Sequence, residues 1–475
     1  MNPLAYRRFF FIGIGGIGMS ALARYLLLSG KEVAGYDRNQ TALTRELQAE
    51  GALVLDHLDA SSCPAPYHEH PEHCLVVYTP AVPFDHPWLT YFRNGKYPII
   101  KRARMLGLLT ADRPTVAVAG THGKTTTSSI IAHLLRCGGL DVTAILGGLG
   151  VEARSNLMMG GPNATMVVEA DEYDRSFHEL APEWAVVTSM DPDHLDVYGN
   201  AEAVADSFRQ FARSSTRLLV SRQGLDLRAM EGVAQLKYGE GAPVYADRIG
   251  VSEGYLWFDY HGKMVIQDIP SLMPGMHNIE NALAAITVAL ECGVDPASIA
   301  PAMADFKGIK RRFEYVARGK RRWLIDDYAH HPKEIEALIQ GLRQMHPHSR
   351  ILGIFQPHLY SRTRDFAREF GVSLDALDEC WLFPVYPARE LPIPGVDSSL
   401  IASSMSVPVR CLSQEELQSE QWIKDLLQQP SDLIVTIGAG DIDAWLPALA
   451  ACILSEQADL PYSEPFKPIQ GDLFA

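Results

Sequence analysis

Residues 116–129 read VAVAGTHGKTTTSS. Backbone N–H groups of a glycine loop feeding a helix N-terminus bind anions, a lysine there reaches terminal phosphates, and a threonine hydroxyl ligates Mg2+. Gly120, Gly123, Lys124 and Thr125 supply those parts, although two residues separate the glycines where the usual loop has four. The next apolar run, TMVVEADEYD, ends in Glu169, Asp171, Glu172 and Asp174. Carboxylates this close repel one another unless they are solvated or share a cation. Mg2+ takes hard oxygen ligands, commonly one or two carboxylates plus phosphate oxygens. Glu169, closest to the strand, is the first choice for a ligand. A third strand end, MDPDHLD, carries His194, which suits a second metal or a phosphate.

A second phosphate-type loop lies at the start of the chain. GIGGIGMS (13–20) follows an apolar strand, precedes a helix, and is followed by a second strand ending at Asp37. It reads G-x-G-G-x-G, fits the dinucleotide fingerprint in outline, and points to the diphosphate of a nucleotide. Near the other end, DDYAHHP (326–332), FQPHLYSRTRD (355–365) and GAGD (438–441) are polar clusters just after strands. Arg362 and Arg364, with His358, suit a carboxylate or phosphate, which arginine binds in bidentate fashion. Arg311 and Arg312 complete a charge-neutralising set if domains close over the ligands. His68, His70, His73 and Cys74 are metal-ligating types but lack a zinc spacing, so they are read as a polar loop.

The elements that position these residues repeat one pattern, a strand followed by a polar or glycine-rich loop and a helix. The reading is α/β with three domains: a Rossmann-like first domain over 1–111, a central phosphate-loop domain with a mainly parallel sheet over 112–316, and a Rossmann-like third domain over 317–475. The basic stretch RRFEYVARGKRRW (311–323) is read as containing a linker, and the tail after about residue 455 as loosely held. A chain of 475 residues exceeds what a single core supports. With 57 acidic against 42 basic side chains, a net charge of −15, it lacks the basic face a nucleic acid requires. The seven cysteines form no CxxC pair and fit free thiols in a reducing cytoplasm. MNPLAYRRFFFIGIGG reads as a first strand rather than a signal peptide, and no run of about 18 apolar residues suggests a membrane span.

Taken in order, FIGIGGIGMS, AGTHGKTTT, VVEADEYD, DPDHLD, HNIENALAA, RRFE, DDYAHHP, FQPHLYSRTRD and GAGDI resemble the Mur ligase family over nearly the whole chain. The family's phosphate loop has the shortened form seen here. Within the family the resemblance is closest to the members that join L-alanine to the carboxylate of UDP-N-acetylmuramate in peptidoglycan precursor synthesis. It implies ATP and Mg2+ as cofactors, a cytoplasmic location, no nucleic-acid or membrane partner, and either a monomer or a dimer. By motif position, Gly120, Thr121, His122, Gly123, Lys124, Thr125, Thr126, Asn278, Asn281, Arg312 and Asp327 would bind ATP. Thr125 and Glu169 would hold one Mg2+, and His194 a second. Gly15, Gly16, Gly18, Met19, Ser20 and Asp37 would form the UDP-substrate site, and Tyr328, His330, Arg362 and Arg364 the amino-acid site. Lys124, His194, Arg312 and His330 make up the implied catalytic set. The chain has DEYD where the family often has DESD, and DYAHH where it often has DYGHH, so Tyr173 and Ala329 depart mildly. No lysine occurs between Glu169 and His194, so the carbamoylated lysine of several relatives is not expected in this segment.

The implied reaction passes through an acyl phosphate, with His194 or His330 as the base that deprotonates the amine. Three other readings compete, one of them a nucleotide-gated binding protein that hydrolyses ATP without joining two substrates. A recycling ligase of the same family attaches a whole tripeptide to the same UDP-sugar, and an NAD-dependent oxidoreductase would use GIGGIG with Asp37. The oxidoreductase reading leaves GTHGKTTT and the Glu169 cluster without a purpose.

Overall fold

The computed structural model describes residues 3–151, 155–192, 195–252, 255–388 and 390–456. The C-terminal tail beyond 456 and His194 lie outside the described residues. The strands run in chain order β1 (Arg8–Ile12), β2 (Glu32–Tyr36), β3 (Leu53–Leu55), β4 (Cys74–Tyr78), β5 (Ile99–Lys101), β6 (Thr115–Ala119), β7 (Val142–Ile145), β8 (Leu157–Met158), β9 (Thr165–Ala170), β10 (Trp184–Val187), β11 (Leu218–Arg222), β12 (Ala234–Tyr238), β13 (Tyr245–Ser252), β14 (Tyr255–His261), β15 (Val265–Ser271), β16 (Glu314–Arg318), β17 (Trp323–Asp327), β18 (Ile351–Phe355), β19 (Glu379–Leu382), β20 (Val409–Cys411) and β21 (Leu433–Ile437).

The first sheet, in order β3-β2-β1-β4-β5, is parallel throughout. Parallel sheets are covered on both faces, and β1, with the sequence RFFFI, shows why it must be. Phe9 and Phe11 enter one hydrophobic cluster, while Phe10 and Ile12 enter another with Trp88 and Phe92. Strand order reverses between β1 and β4, so the loop after β1 lies at the switch point where open α/β sheets bind ligands.

The second sheet runs β12-β11-β10-β6-β9-β7-β8, parallel except for the β7–β8 pair. Its central strand β6 is buried along its length and is flanked by β10 and β9. This adjacency brings together the phosphate loop after β6, the carboxylates after β9 and the polar turn after β10. Phe9 and Phe11 share a cluster with Leu106, Ala117 and Phe177, so the first two sheets enclose a continuous core. A smaller sheet, β13-β14-β15, follows.

The third large sheet is β16-β17-β21-β18-β19-β20, parallel except for β16–β17. Here the stretch read as a linker is instead an ordered hairpin. Glu314–Arg318 pairs antiparallel with Trp323–Asp327, because EYVAR alternates in β-forming fashion and Arg318 and Tyr315 find aromatic partners across the pair. The chain forms two compact units. One comprises Met1–Arg248, Phe258–Ile269 and His277–Phe306, and so holds both phosphate-type loops. The other comprises Ile249–Trp257, Pro270–Met276 and the chain from Lys307.

Candidate active site

The loop after β6 needs glycine at two positions because its neighbours leave no room for side chains there. Gly120 has φ +142°, and a Cβ there would fall 2.0 Å from Thr188 Oγ1 and 2.9 Å from the Ser189 amide nitrogen. Gly123 has φ +84°, and its Cβ would fall 2.5 Å from Asn281 Oδ1. Both φ values lie where L-residues are strained. Strand-end residues after β10 fix the loop: Ser189 Oγ accepts the His122 N–H at 2.8 Å, Thr188 Oγ1 donates to His122 O, and Thr121 Oγ1 donates to Asp191 O. Gly123 caps the helix Lys124–Cys137, whose first turn carries Lys124 and Thr125.

Lys124 Nζ donates to both oxygens of Glu172, at 2.8 and 3.0 Å, and to Gly120 O at 2.6 Å. Glu172 is 3% exposed and Lys124 is half-buried, so the carboxylate end of this ion pair is withdrawn from solvent. Thr125 Oγ1 lies 3.2 Å from Glu169 Oε2, while Glu169 Oε1 accepts the Gly147 N–H at 2.6 Å. Burial raises the Glu169 pKa, and the Gly147 N–H and the nearby Lys124 charge oppose that rise. Two oxygens bound side by side on an octahedral Mg2+ sit about 3 Å apart, so Thr125 and Glu169 fit that ion. A cation there would also hold the carboxylate ionised.

Asn281 is buried against the loop; its Oδ1 accepts from Thr127 Oγ1 at 3.2 Å and its Nδ2 donates to Asn278 Oδ1. The helix Met276–Glu291 therefore brings Asn278 and Asn281 beside Gly123 and Thr127. Thr126 is buried in the first turn of the loop helix.

At the first loop, Asp37 Oδ2 accepts the Gly15 N–H at 2.8 Å and Oδ1 accepts the Asn39 N–H. Gly16 precedes the helix Ile17–Leu28, which carries Gly18, Met19 and Ser20 in its first turn. Met19 and Ser20 point into the core. The Ser20 hydroxyl donates to Ile17 O and accepts from Asn156 Nδ2, and Asn156 also binds the buried Arg24.

In the second unit, Asp327 closes β17. Its Oδ2 accepts the Phe313 N–H and its Oδ1 the Ala329 N–H, each at 2.8 Å. Burial raises its pKa, and the Arg312 charge is the largest opposing influence. Arg311 and Phe313, on either side of Arg312, have φ of +61° and +48°. Asp327 thus clamps a strained turn, and the Arg312 guanidinium lies over the Tyr328 ring. Tyr328, His330 and Arg362 come together: the two rings are 5.4 Å apart and Arg362 Nη1 reaches His330 O at 3.4 Å. Arg364 instead pairs with Asp365 on an exposed face. His330 Nδ1 lies 3.0 Å from Tyr328 O. A carbonyl only accepts, so Nδ1 carries the proton and Nε2 the lone pair. Burial lowers the His330 pKa.

Three residues went unassigned in the sequence reading. Glu172 was grouped with the acidic cluster, although a buried carboxylate one strand-end from a loop lysine is its natural counterion. Ser189, and Asn156 between the first and second sheets, carried no local signal.

A nucleotide-type loop, a carboxylate–hydroxyl pair suited to Mg2+ and a second diphosphate-type loop define a nucleotide-dependent enzyme of α/β architecture. The chain matches the patterns of the "Mur ligase family, catalytic domain" over residues 8–114, the "Mur ligase middle domain" over 118–289 and the "Mur ligase, glutamate ligase domain" over 311–440. It is 44% identical to the UDP-N-acetylmuramate–L-alanine ligase of Parabacteroides distasonis, covering 91% of this chain and 94% of that one. It is 42% identical to the enzyme of the same name from Christiangramia forsetii, covering 95% and 98%. Among solved structures, it is similar to UDP-N-acetylmuramate–alanine ligase MurC of Thermotoga maritima, with TM-score 0.80, 26% identity, and 94% and 98% of the two chains covered. The murein peptide ligase Mpl of Psychrobacter arcticus shares the fold, with TM-score 0.64, 21% identity, and 95% and 99% covered. The chain belongs to the Mur ligase family.

Proposed function

We propose that this chain joins L-alanine to the carboxylate of UDP-N-acetylmuramate with cleavage of ATP, a step of peptidoglycan precursor synthesis carried out in the cytoplasm. The observation that carries the reading is the presence in one compact unit of two phosphate-type loops, one bearing Lys124 and the Thr125–Glu169 pair. A redox enzyme would need the first loop alone. The relatives named for the alanine ligase support the choice of amino acid.

In this reading Gly120–Thr126, Asn278 and Asn281 bind ATP, joined by Arg312 and Asp327. Gly15, Gly16, Gly18 and Asp37 line the UDP-substrate loop, with Met19 and Ser20 supporting it from the core. The family's three-part division is assigned to 1–111, 112–316 and 317–475, with the second boundary falling inside β16 of the third sheet. Thr125 and Glu169 would hold Mg2+, which when bound supplies positive charge to the phosphates.

The chemistry balances as follows. A carboxylate oxygen attacks the γ-phosphorus, the bond from that phosphorus to the β–γ bridging oxygen breaks, and ADP leaves. The acyl phosphate now has phosphate as its leaving group. The neutral amine of L-alanine attacks its carbonyl carbon, a base takes the amine proton, and the tetrahedral intermediate expels phosphate. Bringing two unit negative charges to 4 Å costs about 4 kcal/mol at an effective dielectric near 20. Lys124 and Arg312 offset that repulsion and stabilise the transferring group. His330 suits the base, with its lone pair on Nε2 and a pKa that burial keeps below the ordinary histidine value. Tyr328 and Arg362 would hold the alanine carboxylate beside it.

Phosphate release from ATP, measured with UDP-N-acetylmuramate and each amine in turn, tests the assignment. L-alanine is expected to give the fastest turnover. Glycine and L-serine should be measurable, because a one-methyl difference discriminates by only about 1–3 kcal/mol. A strict requirement for the tripeptide L-alanyl-γ-D-glutamyl-meso-diaminopimelate would assign the chain to the recycling reaction instead.

A further inference from the structure

The residues assigned to the UDP-substrate loop include no cation, and Asp37 adds a negative charge to it. A diphosphate needs the opposite. Arg102 opens the helix Arg102–Thr110 at the end of β5. Its guanidinium packs on the loop: a Cβ on Gly18 would fall 2.8 Å from Arg102 Nη1 and 3.4 Å from Cζ. The other arm, Nη2, donates to Asp171 Oδ2 at 2.8 Å. Among the described residues Nη1 has no hydrogen-bond partner.

Asp171 is itself held in place. Its Oδ1 accepts the Tyr173 N–H and its carbonyl oxygen accepts the Phe177 N–H. The turn that carries it is pressed onto the Arg102 helix, where a Cβ on Gly107 would fall 2.3 Å from Glu179 O. Lys101–Asp174 and Arg104–Glu179 ion pairs flank the contact.

We propose that Arg102 binds the diphosphate of the UDP-linked substrate at the first loop, and that Asp171 is the positioning residue that aims it. The inference rests on the reading of GIGGIGMS as the UDP-substrate loop. A guanidinium is a planar fork, so one arm can stay on Asp171 while the other meets a phosphate oxygen. Gly18 is then required for closeness, because any side chain there would displace the arm that does the binding. The first substrate site is completed by a carboxylate from the second sheet, 69 residues further along the chain.

The test compares Arg102→Ala, Arg102→Lys, Asp171→Asn and the Arg102→Ala/Asp171→Asn double variant, each as the full chain. KM for UDP-N-acetylmuramate and for ATP is measured with L-alanine saturating, and binding of UDP-N-acetylmuramate is followed by titration calorimetry. Loss of a charge-assisted contact should raise the KM and Kd for the UDP-substrate about 10- to 100-fold in Arg102→Ala. KM for ATP should stay within threefold. Arg102→Lys should recover part of the loss. Asp171→Asn should weaken the same constant by a smaller factor, and the double variant should be no worse than Arg102→Ala, because Asp171 acts through Arg102. A UDP-substrate constant within twofold of the parent in Arg102→Ala, or an equal rise in both KM values, would overturn the proposal. If Arg102→Ala does not fold, the lysine variant decides, since an ammonium cannot hold both partners and its UDP-substrate KM should rise while ATP's does not. If the unaltered protein shows no saturable binding of UDP-N-acetylmuramate, the reading of the first loop fails, whatever Arg102 does.

Discussion

Replacing Gly120 by alanine puts the phosphate loop's geometry to a quantitative test. At φ +142° a side chain is strained, a conformation that costs on the order of 1–3 kcal/mol. The new Cβ would also sit 2.0 Å from Thr188 Oγ1, so that side chain must turn away and give up its hydrogen bond to His122 O. A lost hydrogen bond adds about 0.5–1.5 kcal/mol. The Ser189 amide nitrogen at 2.9 Å is backbone and cannot yield by rotating a side chain. Together these give about 1.5–4.5 kcal/mol to be distributed between two outcomes. If the loop keeps its shape, the compact unit is destabilised by that amount. If the loop relaxes, ATP affinity falls, by about a factor of ten for each 1.4 kcal/mol. Thermal melting without ligand and calorimetric titration of a non-hydrolysable ATP analogue measure both shares. Gly139→Ala is the control, because Gly139 has φ +81° but nothing within 4 Å of its would-be Cβ. It should lose stability with no change in nucleotide affinity. A Gly120→Ala protein that melts normally and binds the analogue normally would refute the argument from close approach.

Three further outcomes are expected. Lys124→Ala should abolish phosphate release while leaving calorimetric binding of UDP-N-acetylmuramate within threefold, since the cation belongs to the loop proposed for ATP; joint loss of both would show that the ligands are divided wrongly. Asp327→Asn places an amide donor against one of two backbone N–H groups, from Phe313 or Ala329; an unsatisfied buried donor costs about 1–3 kcal/mol, which thermal melting should register, and kcat should fall as Arg312 loses its fixed turn. His346, buried beside Trp323 and hydrogen-bonded to Tyr315, has its pKa pushed down to about 4, by burial first and by Arg318 second. Between that value and the unfolded value near 6.5 the unfolded chain binds the proton and the folded chain does not, so stability should fall as the pH is lowered through this window, by at most about 3 kcal/mol. Denaturant titrations at pH 7 and pH 4.5 measure the drop, and His346→Gln should flatten it.

Much of this arrangement was legible in the chain. The loop–helix junction at Lys124, the strand-end position of Glu169 and the placing of Asn278 and Asn281 at a helix start follow from local patterns, and the sheet makes them neighbours because β10, β6 and β9 are adjacent. What escaped was set by pairings between distant segments. Nothing near Glu172 says that its carboxylate meets a lysine 48 positions earlier. Nothing in KRARML sets Arg102 apart from its basic neighbours, and it meets Asp171 where Gly107 packs on Glu179. The basic stretch 311–323 resembled a linker because charge dominates its composition, while its strand pairing depends on a partner supplied by the same hairpin. Asp327 was placed near a nucleotide, yet its two oxygens are taken up by backbone amides, a contact that no side-chain spacing reveals.

The Lys124–Glu172 pair sets a threshold for what the phosphate loop admits. The ammonium is matched to a carboxylate that is almost wholly withdrawn from solvent. A ligand must draw Lys124 away and leave Glu172 to be neutralised by other means, so a small monoanion gains too little to enter. A triphosphate brings several charges and the loop amides at once, and it can meet that demand. If the loop binds ATP as proposed, it should favour anions by total charge before any contact with the base or ribose, and inorganic phosphate and chloride should compete poorly with ATP even in large excess.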